Sequence, residues 1–247
     1  MTGGFDEHFG YRPVSPLERR ARIRRVFATV AERYDVMNDL MSFALHRWWK
    51  RRLVEAIGRT SAETIVDLAG GTGDVAAALA ARGRRVIVCD PSLEMMAVGR
   101  RRHPDGIAWI AGEAEALPFA TGSIDCLAIS FGIRNVTHLD RALLEIARVL
   151  KPGGHLFCLE FSTPRRWARP LYDLFSFAVI PRLGAAVAGA PEAYAYLVES
   201  IRGFPDQERF KGAIETAGFR DVTYRDMTFG VVSMHSGRKT PTHELAA

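Results

Sequence analysis

TIVDLAGGTGD, residues 64–74, is the stretch of sequence that decides the fold. Its apolar first half is typical of a buried strand, and the small residues that follow indicate a tight turn that opens a helix. Small residues also let a ligand approach the backbone closely, so the stretch predicts a site for a nucleotide-like cofactor. Because Gly71-Thr72-Gly73 followed by Ala76 also satisfies the relaxed dinucleotide pattern G-x-G-x-x-A, these residues alone leave the cofactor class open.

Short apolar runs separated by helical segments continue after this stretch, as RVIVCD, IAWIAGE, DCLAISFG and HLFCLEF. Such alternation predicts a parallel sheet with helices on both faces. The helix from about Leu139 to Leu150 is expected to end in a sharp turn at KPGG, residues 151–154. Two last strand-like runs, DVTYRDMT and GVVSMHSG, flank Gly230 and predict a hairpin.

Length and composition favour one α/β domain over residues 1–247, since 48% of the residues are hydrophobic. No run approaches the roughly 18 uncharged apolar residues of a membrane span, and residues 1–10 lack a basic segment followed by an apolar one. We therefore expect a soluble, cytoplasmic protein. Cys89, Cys126 and Cys158 lie in apolar strand-like runs without metal-ligand spacing, which indicates buried thiols and no metal site.

Two segments depart from the strand–helix alternation. Residues 15–58 are predicted to form an N-terminal helical cover, because Ser15 and Glu18 make a capping box and the second helix closes at Gly58. Residues 162–204 are rich in aromatic residues and interrupted by prolines. An insertion of that length is usually functional, and we interpret it as a substrate lid.

Lys plus Arg exceed Asp plus Glu by 33 to 28, and the excess is concentrated in four Arg-rich clusters. Such clusters attract nucleic acid or an anionic membrane face, and they are equally compatible with solvated helix faces. The chain lacks a base-flipping motif of the Asn-Pro-Pro-Tyr kind and an appended RNA-binding module. We therefore expect no nucleic-acid partner.

Polar residues follow the second and third predicted strands. Asp90 ends the second strand, where a carboxylate can accept both hydroxyls of a ribose, although an Asp before Pro91 is also a good helix cap. The acidic turn GEAEALPF, residues 112–119, follows the third strand, and apolar residues behind its acids make it suitable to border an adenine ring. A dinucleotide oxidoreductase has no particular need for that turn.

The glycine loop, Asp90, EAEALPF and LKPGG occur in the order and spacing of class I S-adenosyl-L-methionine-dependent methyltransferases. VAERYDVMNDLMS, HRWWK, SFGIRNVT, LEFSTP and YAYLVESIRGFPDQE resemble the ubiquinone/menaquinone biosynthesis C-methyltransferase family more closely, from about Phe9 to Lys239. This resemblance implies a Rossmann-like α/β fold with a mostly parallel seven-stranded sheet and a reversed C-terminal hairpin. It also implies S-adenosyl-L-methionine as cofactor and a polyprenylated benzoquinol or naphthoquinol as substrate, methylated on a ring carbon.

The resemblance also implies which positions hold the cofactor. They are Asp67, Gly71, Thr72 and Gly73 around the glycine loop, Asp90 at the ribose, Glu113 and Ala114 beside adenine, and Ser130 after the fourth strand. Similar proteins usually have Asn or Asp where this chain has Glu113. The longer side chain has to tilt to reach the adenine amino group.

Carbon methylation needs a base or an oxyanion-stabilising donor near the ring hydroxyl. The candidates are Tyr34, Asp35, Asn38, His46, Arg134 and Asn135. Arg134 is expected to stabilise a developing phenolate by its charge, and His46 or Asp35 to accept the proton. Their ordinary structural alternatives are a core aromatic for Tyr34, a helix-cap residue for His46 and an ion-pair partner for Arg134.

The resemblance leaves two classes of function to weigh. One is the quinol methyltransferase, with peripheral contact to the cytoplasmic face of a membrane. The other is a catalytically silent cofactor-binding subunit of a quinone-biosynthesis complex, against which the intact Thr72, Asp90, Arg134 and Asn135 argue. A homodimer is compatible with either class.

Overall fold

A computed structural model describes residues 8–10, 12–176 and 191–241 of the chain. Within the helices, the side chains of residues 33–35, 37, 40 and 191–195 lie outside this description. The statements below concern the described residues.

The chain begins with a small antiparallel pair and three helices. Their bounds are β1 His8–Phe9, β2 Arg12–Pro13, α1 Pro16–Val30, α2 Tyr34–Ser42 and α3 Leu45–Gly58. Ser15 caps α1 as its sequence predicts, since the Ser15 hydroxyl accepts a hydrogen bond from the Glu18 amide at 3.2 Å. Trp49, Leu53 and Ile57 of α3 are buried against the central sheet.

A single seven-stranded sheet forms the centre. Its elements in chain order are β3 Thr64–Leu68, α4 Asp74–Ala80, β4 Arg85–Asp90, α5 Leu93–Arg102, β5 Ile107–Ala111, β6 Ile124–Ser130, α6 Leu139–Val149, β7 Leu150–Phe161, α7 Arg169–Leu174, α8 Pro191–Gly203, α9 Gln207–Thr216, β8 Phe219–Met227 and β9 Val232–Lys239. The strand order is β5-β4-β3-β6-β7-β9-β8. Strands β5, β4, β3, β6 and β7 are parallel to one another, whereas β9 runs antiparallel to both of its neighbours, β7 and β8. The predicted fold class, including the reversed C-terminal hairpin, is confirmed.

The segment after α6 differs from the sequence prediction. Helix α6 passes directly into β7 at Leu150, which pairs with Ile124, and the next pairing joins His155 to Cys126. Residues 151–154 therefore bulge out of the ladder within the strand, with Gly153 at φ +75°. KPGG makes its sharp turn as a bulge inside β7 and not as a separate connection before it.

Apolar side chains alternate between the two faces of the sheet and define two buried clusters. One face packs β6 and β7 against α6 and α9, through Leu127, Leu156, Leu143, Ile146, Phe210 and Ile214. The other packs β3, β4 and β7 against α3 and α4, through Ile65, Val88, Leu159, Leu53 and Leu79. Cys89, Cys126 and Cys158 are buried free thiols, as predicted.

The carboxyl ends of β3, β4 and β6 lie side by side, and this edge is where ligands bind in open α/β sheets. No described helix is both long and apolar enough to cross a bilayer. Nor do the described histidines, cysteines and acids form a cluster that could hold a metal ion.

Replacement of two helical glycines by alanine is expected to change the free energy of unfolding in opposite directions. A Cβ at Gly99 of α5 would lie 2.2 Å from the Trp109 ring and 2.9 Å from the Thr72 carbonyl oxygen, whereas a Cβ at Gly212 of α9 would meet nothing within 4 Å. Gly99→Ala is expected to lower the free energy of unfolding by about 1–3 kcal/mol through overpacking. Gly212→Ala is expected to raise it by about 0.5–1 kcal/mol, since Ala loses less conformational entropy in a helix. Urea denaturation of the two variants measures both, and changes of the same sign would contradict this packing.

Candidate active site

Two cavities open at the carboxyl edge of the sheet. The first, of about 860 Å³, lies between α1 and the loops after β3, β4, β5 and β6. The second, of about 1220 Å³, is enclosed by α2, α3, α7, α8 and the β8–β9 turn. Phe131, directly after β6, lines both. We call them the cofactor cleft and the ring cavity.

The glycine loop turns sharply away from β3. Ala69, Gly71 and Gly73 all have left-handed backbone conformations, with φ of +52°, +57° and +82°. A side chain at Gly73 would collide with the Trp109 ring, because its Cβ would stand 2.6 Å from it. The turn therefore brings bare backbone to the floor of the cleft, which Ala69 and Gly71 line.

Asp90 fastens the glycine loop to the next strand. Its carboxylate accepts hydrogen bonds from the Gly71 amide at 2.9 Å and from the Ser92 amide at 2.8 Å. The capping alternative for Asp90 is wrong, because Ser92 is the N-cap residue of α5. Burial raises the pKa of Asp90 to about 6, although both hydrogen bonds oppose the rise.

Asp67 lies beneath the glycine loop and is buried. One carboxylate oxygen accepts from the Ala76 amide at 3.0 Å, and the other has no hydrogen-bond partner among the described atoms. Burial raises the pKa of Asp67 to about 7. A buried acceptor without a partner is costly, and Asp67 lies directly beneath the loop that lines the cleft.

Glu113 does not extend freely into the cleft. It forms ion pairs with Arg24 and with Arg20, the latter at 3.3 Å. Both arginines belong to α1, which covers the cofactor cleft and is called the roof helix. Ala114 beside it is buried and lines the cleft. The predicted tilt of the longer Glu113 side chain is thus directed toward the roof helix.

The remaining predicted cofactor residues stand behind the cleft surface. Thr72 is buried, Gly73 supports Trp109, and the Ser130 hydroxyl is buried with no hydrogen-bond partner in the described part of the chain. Gly71, Asp90, Glu113 and Ala114 line the cleft. Their roles in cofactor binding stay predictions.

Three aromatic rings wall the ring cavity. Phe131 and Phe161 lie with centroids 4.9 Å apart, and Trp49 lies 6.0 and 6.2 Å from them. The Trp49 indole donates to the Thr228 hydroxyl at 2.9 Å, which ties α3 to the β8–β9 turn. Such walls suit a flat aromatic ligand.

Arg134 brings a buried positive charge to this cavity. One of its Nη atoms donates to Glu160 Oε1 and to the Phe131 carbonyl oxygen, both at 2.7 Å. Burial raises the pKa of Glu160, while the charge of Arg134 and two backbone amides oppose that rise. The ion-pair alternative for Arg134 is therefore realised, and Arg134 lines the cavity as well.

His46 presents an imidazole to the same cavity. It is the second residue of α3, whose N-cap residue is Ala44, so the helix-cap alternative for His46 is wrong. Its Nδ1 lies 2.9 Å from the Ser42 hydroxyl. Burial, followed by the charge of Lys50, lowers the pKa of His46, which favours the neutral imidazole that can accept a proton.

Asn135 faces the other way, into the cofactor cleft. Its Oδ1 accepts from the Tyr196 hydroxyl at 3.0 Å, and the Tyr196 ring stacks on Phe9 with centroids 4.3 Å apart. Tyr34 and Asp35 open α2, but their side chains lie outside the described residues. Their catalytic roles stay predictions.

Backbone strain is concentrated around the two cavities. Seven non-glycine residues of the described chain have positive φ, and five of them line a cavity: Phe43, Ala69, Phe131, Thr228 and Phe229. Conformations of this kind persist only where the surrounding structure enforces them, and they cluster at functional sites.

Glu160 and Tyr196 belong to the site and were not predicted from the sequence. Glu160 is an acid at the end of an apolar strand, and a charge in such a place signals a paired, buried group. Tyr196 carried no comparable signal, because its contact with Asn135 depends on how α8 packs.

Comparisons with known proteins agree with this arrangement. Residues 17–239 match the ubiE/COQ5 methyltransferase family. The ubiquinone/menaquinone biosynthesis C-methyltransferase UbiE of Rubrivivax gelatinosus is 60% identical over 231 residues, covering 94% of this chain and 92% of that protein. The mitochondrial 2-methoxy-6-polyprenyl-1,4-benzoquinol methylase of Homo sapiens is 44% identical over 276 residues, covering 95% of this chain and 84% of that protein.

Among solved structures, a SAM-dependent methyltransferase of Thermotoga maritima, described as a possible histamine N-methyltransferase, is similar with a TM-score of 0.62. It is 19% identical, and the match covers 87% of this chain and 99% of that one. At this identity the likeness concerns the fold alone.

The cofactor cleft fits S-adenosyl-L-methionine. The glycine loop brings backbone without bulky side chains to the floor of the cleft, at Ala69 and Gly71. Asp90 retains lone pairs for ribose hydroxyls. Ile23, Phe27 and Ala114 provide apolar walls for a base.

The titration of Asp90 predicts a pH dependence of cofactor binding. Above about pH 6 Asp90 is a carboxylate that accepts hydroxyl donors, and below it the protonated acid accepts less well. The affinity for S-adenosyl-L-methionine, measured by calorimetry, is therefore expected to fall as the pH drops through about 6. In Asp90→Asn that step should vanish, and binding at pH 8 should weaken roughly tenfold or more. An unchanged pH profile in this variant would contradict the assignment.

Proposed function

Because the chain belongs to the ubiE/COQ5 methyltransferase family, we propose that it transfers a methyl group from S-adenosyl-L-methionine to a ring carbon of a polyprenylated quinol. One observation supports the substrate class above others: the ring cavity combines three aromatic walls with a buried guanidinium and an imidazole. Phe131 lines both this cavity and the cofactor cleft, which supports binding of the two ligands next to each other.

S-adenosyl-L-methionine, when bound, supplies a methyl group on a positively charged sulfur. The chain's own task is to align the ring, exclude water and make the ring carbon nucleophilic. Trp49, Phe131 and Phe161 hold a planar ring by burial and stacking. Trp49 and Phe131 are buried, so this wall of the cavity helps to exclude bulk water.

Arg134 stabilises the negative charge that develops on the ring oxygen. It remains protonated throughout, and Glu160 with the Phe131 carbonyl fixes its orientation. His46 accepts the hydroxyl proton, since burial keeps its imidazole neutral. The hydrogen on the methylated carbon then leaves to solvent or to a second acceptor, for which Asp35 and Tyr34 are the candidates, and Asn135 orients the bound cofactor from the other cavity.

The quinol class includes two substrates. The relatives' names refer to a methoxy-benzoquinol in one case and to both ubiquinone and menaquinone biosynthesis in the other. The apolar and aromatic lining of the ring cavity suits a benzoquinol and a naphthoquinol equally. The proposal therefore includes both.

Residues 162–204 are proposed as the lid over the quinol. Within this segment, Ala168, Leu171, Tyr172, Phe175, Leu197 and Ile201 line the ring cavity. Residues 177–190 of the segment lie outside the described chain. The described part supports a lid because it supplies the apolar side of a cavity whose opposite side is α3.

The mouth of the ring cavity is proposed to meet the membrane. Phe43, Leu171 and Phe229 line the cavity and are 71%, 73% and 57% exposed, so large apolar side chains face outward where a prenyl tail would leave. Trp167, 66% exposed, packs against Phe229 with centroids 4.8 Å apart. We call these four residues the apolar rim. Exposed arginines at 165, 166 and 169 suit an anionic membrane face, which supports the proposal that the protein acts at the cytoplasmic face of a membrane.

A methyl-transfer assay tests the function directly. With labelled S-adenosyl-L-methionine and short-chain reduced analogues of the methoxy-benzoquinol and the demethylnaphthoquinol, label is expected on a ring carbon of at least one. Arg134→Lys should lower kcat by about 100-fold because it loses the forked guanidinium. His46→Gln should lower kcat by a similar factor. Arg51→Gln, an exposed change on the same helix as His46, is the control and should leave kcat unchanged. Cofactor binding without transfer to either analogue would instead identify a catalytically silent subunit.

A matched pair of exposed leucines tests the apolar rim. Leu171→Ser removes a rim side chain, whereas Leu144→Ser removes a 56% exposed side chain of α6. Loss of one inserted leucine is expected to weaken co-sedimentation with anionic lipid vesicles roughly tenfold, and Leu144→Ser should have no effect. Leu144→Ser should methylate a water-soluble short-chain quinol at the original rate, whereas Leu171→Ser, which also changes the ring cavity, is compared by vesicle binding. Equal vesicle binding by the two variants would overturn the membrane assignment.

A further inference from the structure

Helix α1 buries a guanidinium at its N-terminal end. Arg19 is 2% exposed, although most arginines remain at the surface. It occupies the buried face of the helix one turn before Ile23. A charge in such a position is retained only when hydrogen bonds replace its hydration.

The hydrogen bonds of Arg19 converge on one turn. Its guanidinium donates to the carbonyl oxygens of Arg134, Asn135 and Val136 at 3.2, 3.1 and 2.6 Å. Its Nε donates to the His8 carbonyl oxygen at 2.9 Å. Three consecutive carbonyls of the loop after β6 thus share one cation.

That turn is a single 3-10 turn, Ile133–Asn135, and the carbonyls at the end of such a turn have no partner within it. Their partial negative charges point toward the guanidinium, which is the favourable orientation for a cation. Arg19 therefore fixes the direction in which the turn ends.

The direction of this turn matters because it carries adjacent side chains into different cavities. Arg134 lines the ring cavity and Asn135 lines the cofactor cleft. A rotation of the turn would displace both at once, and misplacement of a catalytic group by about 1 Å can cost roughly 100-fold in rate.

The same helix also roofs the cofactor cleft. Ile23 and Arg24 line it, and Arg20 donates to the Thr137 hydroxyl at 3.1 Å while pairing with Glu113. One helix, α1, therefore both covers the cofactor cleft and, through Arg19, holds the turn after β6.

We propose that Arg19 is a positioning residue for the methyl transfer, which holds the turn bearing Arg134 and Asn135 in register with both cavities. The expected effect of Arg19 on kcat rests on the proposed function. Arg19 touches neither reacting group; it acts through the backbone of residues 134–136.

Arg19→Gln and Arg19→Lys test this role. Gln removes the charge and the fork, and kcat with the quinol analogue at saturating S-adenosyl-L-methionine is expected to fall about 30- to 100-fold. The dissociation constant of S-adenosyl-L-methionine is expected to rise as well, because Asn135 and α1 line the cofactor cleft. Lys keeps the charge without the fork and should recover part of kcat. Arg25→Gln, exposed on the same helix, is the control and should leave kcat unchanged.

A double-mutant cycle separates positioning from general stabilisation. In an Arg134→Gln/Asn135→Ala background, Arg19→Gln should lower kcat by less than about threefold, because both side chains that it positions are already absent. The same loss of kcat in both backgrounds would assign Arg19 a structural role only and overturn the proposal.

Amide hydrogen exchange gives a readout that needs no substrate. The amides of Asn135 and Val136 donate within the turn, to Gly132 and Ile133. Their exchange should accelerate at least about tenfold in Arg19→Lys and Arg19→Gln, and not in Arg25→Gln. Unchanged exchange would refute the positioning role even if the wild-type protein methylated no quinol, whereas accelerated exchange with full kcat would refute its kinetic consequence. If Arg19→Gln does not fold, Arg19→Lys carries both measurements.

Discussion

The close approach of two loops, at Ala69 and Gly132, is the contact on which both cavities depend. A Cβ at Gly132 would stand 2.5 Å from the Ala69 methyl group, so the loops after β3 and β6 touch without a side chain between them. Ala69 and Phe131 both have left-handed backbone conformations, which turn the chain sharply as each strand ends. Parallel pairing of β3 with β6 brings these ends together. The Phe131 ring is consequently left as the wall that the two cavities share.

Buried charges around this contact form separate, internally satisfied groups. Arg134 pairs with Glu160, Asp90 accepts two amides, and Arg19 donates to four carbonyl oxygens. Removing one partner of a buried ion pair typically costs about 3–5 kcal/mol, so such groups resist rearrangement. They fix orientation more than they add net stability. Asp67 is different, since one of its buried oxygens has no hydrogen-bond partner among the described atoms.

Local chemistry explains what the sequence predicted well. The glycine loop and the terminal hairpin follow from residues close together in the chain, as with Gly71 and Gly230, whereas the seven-stranded, mostly parallel sheet is what the resemblance to the methyltransferase class implies. The site residues that the sequence did not reveal depend on contacts between distant segments. Glu160 meets Arg134 only because β7 lies beside β6, and Arg19 reaches residues 134–136 across the sheet edge. The Glu113 carboxylate meets the arginines of α1 for the same reason, and no local pattern announces it.

The two cavities differ in how their entrances are built, and the difference suits two unlike ligands. Charged groups close the cofactor cleft, with Arg20 and Arg24 of α1 paired to Glu113, and such exposed pairs break and re-form in water at little cost. The ring cavity opens instead beside Phe43 and Leu171. Their exposed side chains carry no polar group that would have to lose its hydration when a hydrocarbon chain binds. A water-soluble cofactor and a lipid-tailed ring would each enter through the surface at which binding removes the least hydration from polar groups. The two ligands would meet only at Phe131.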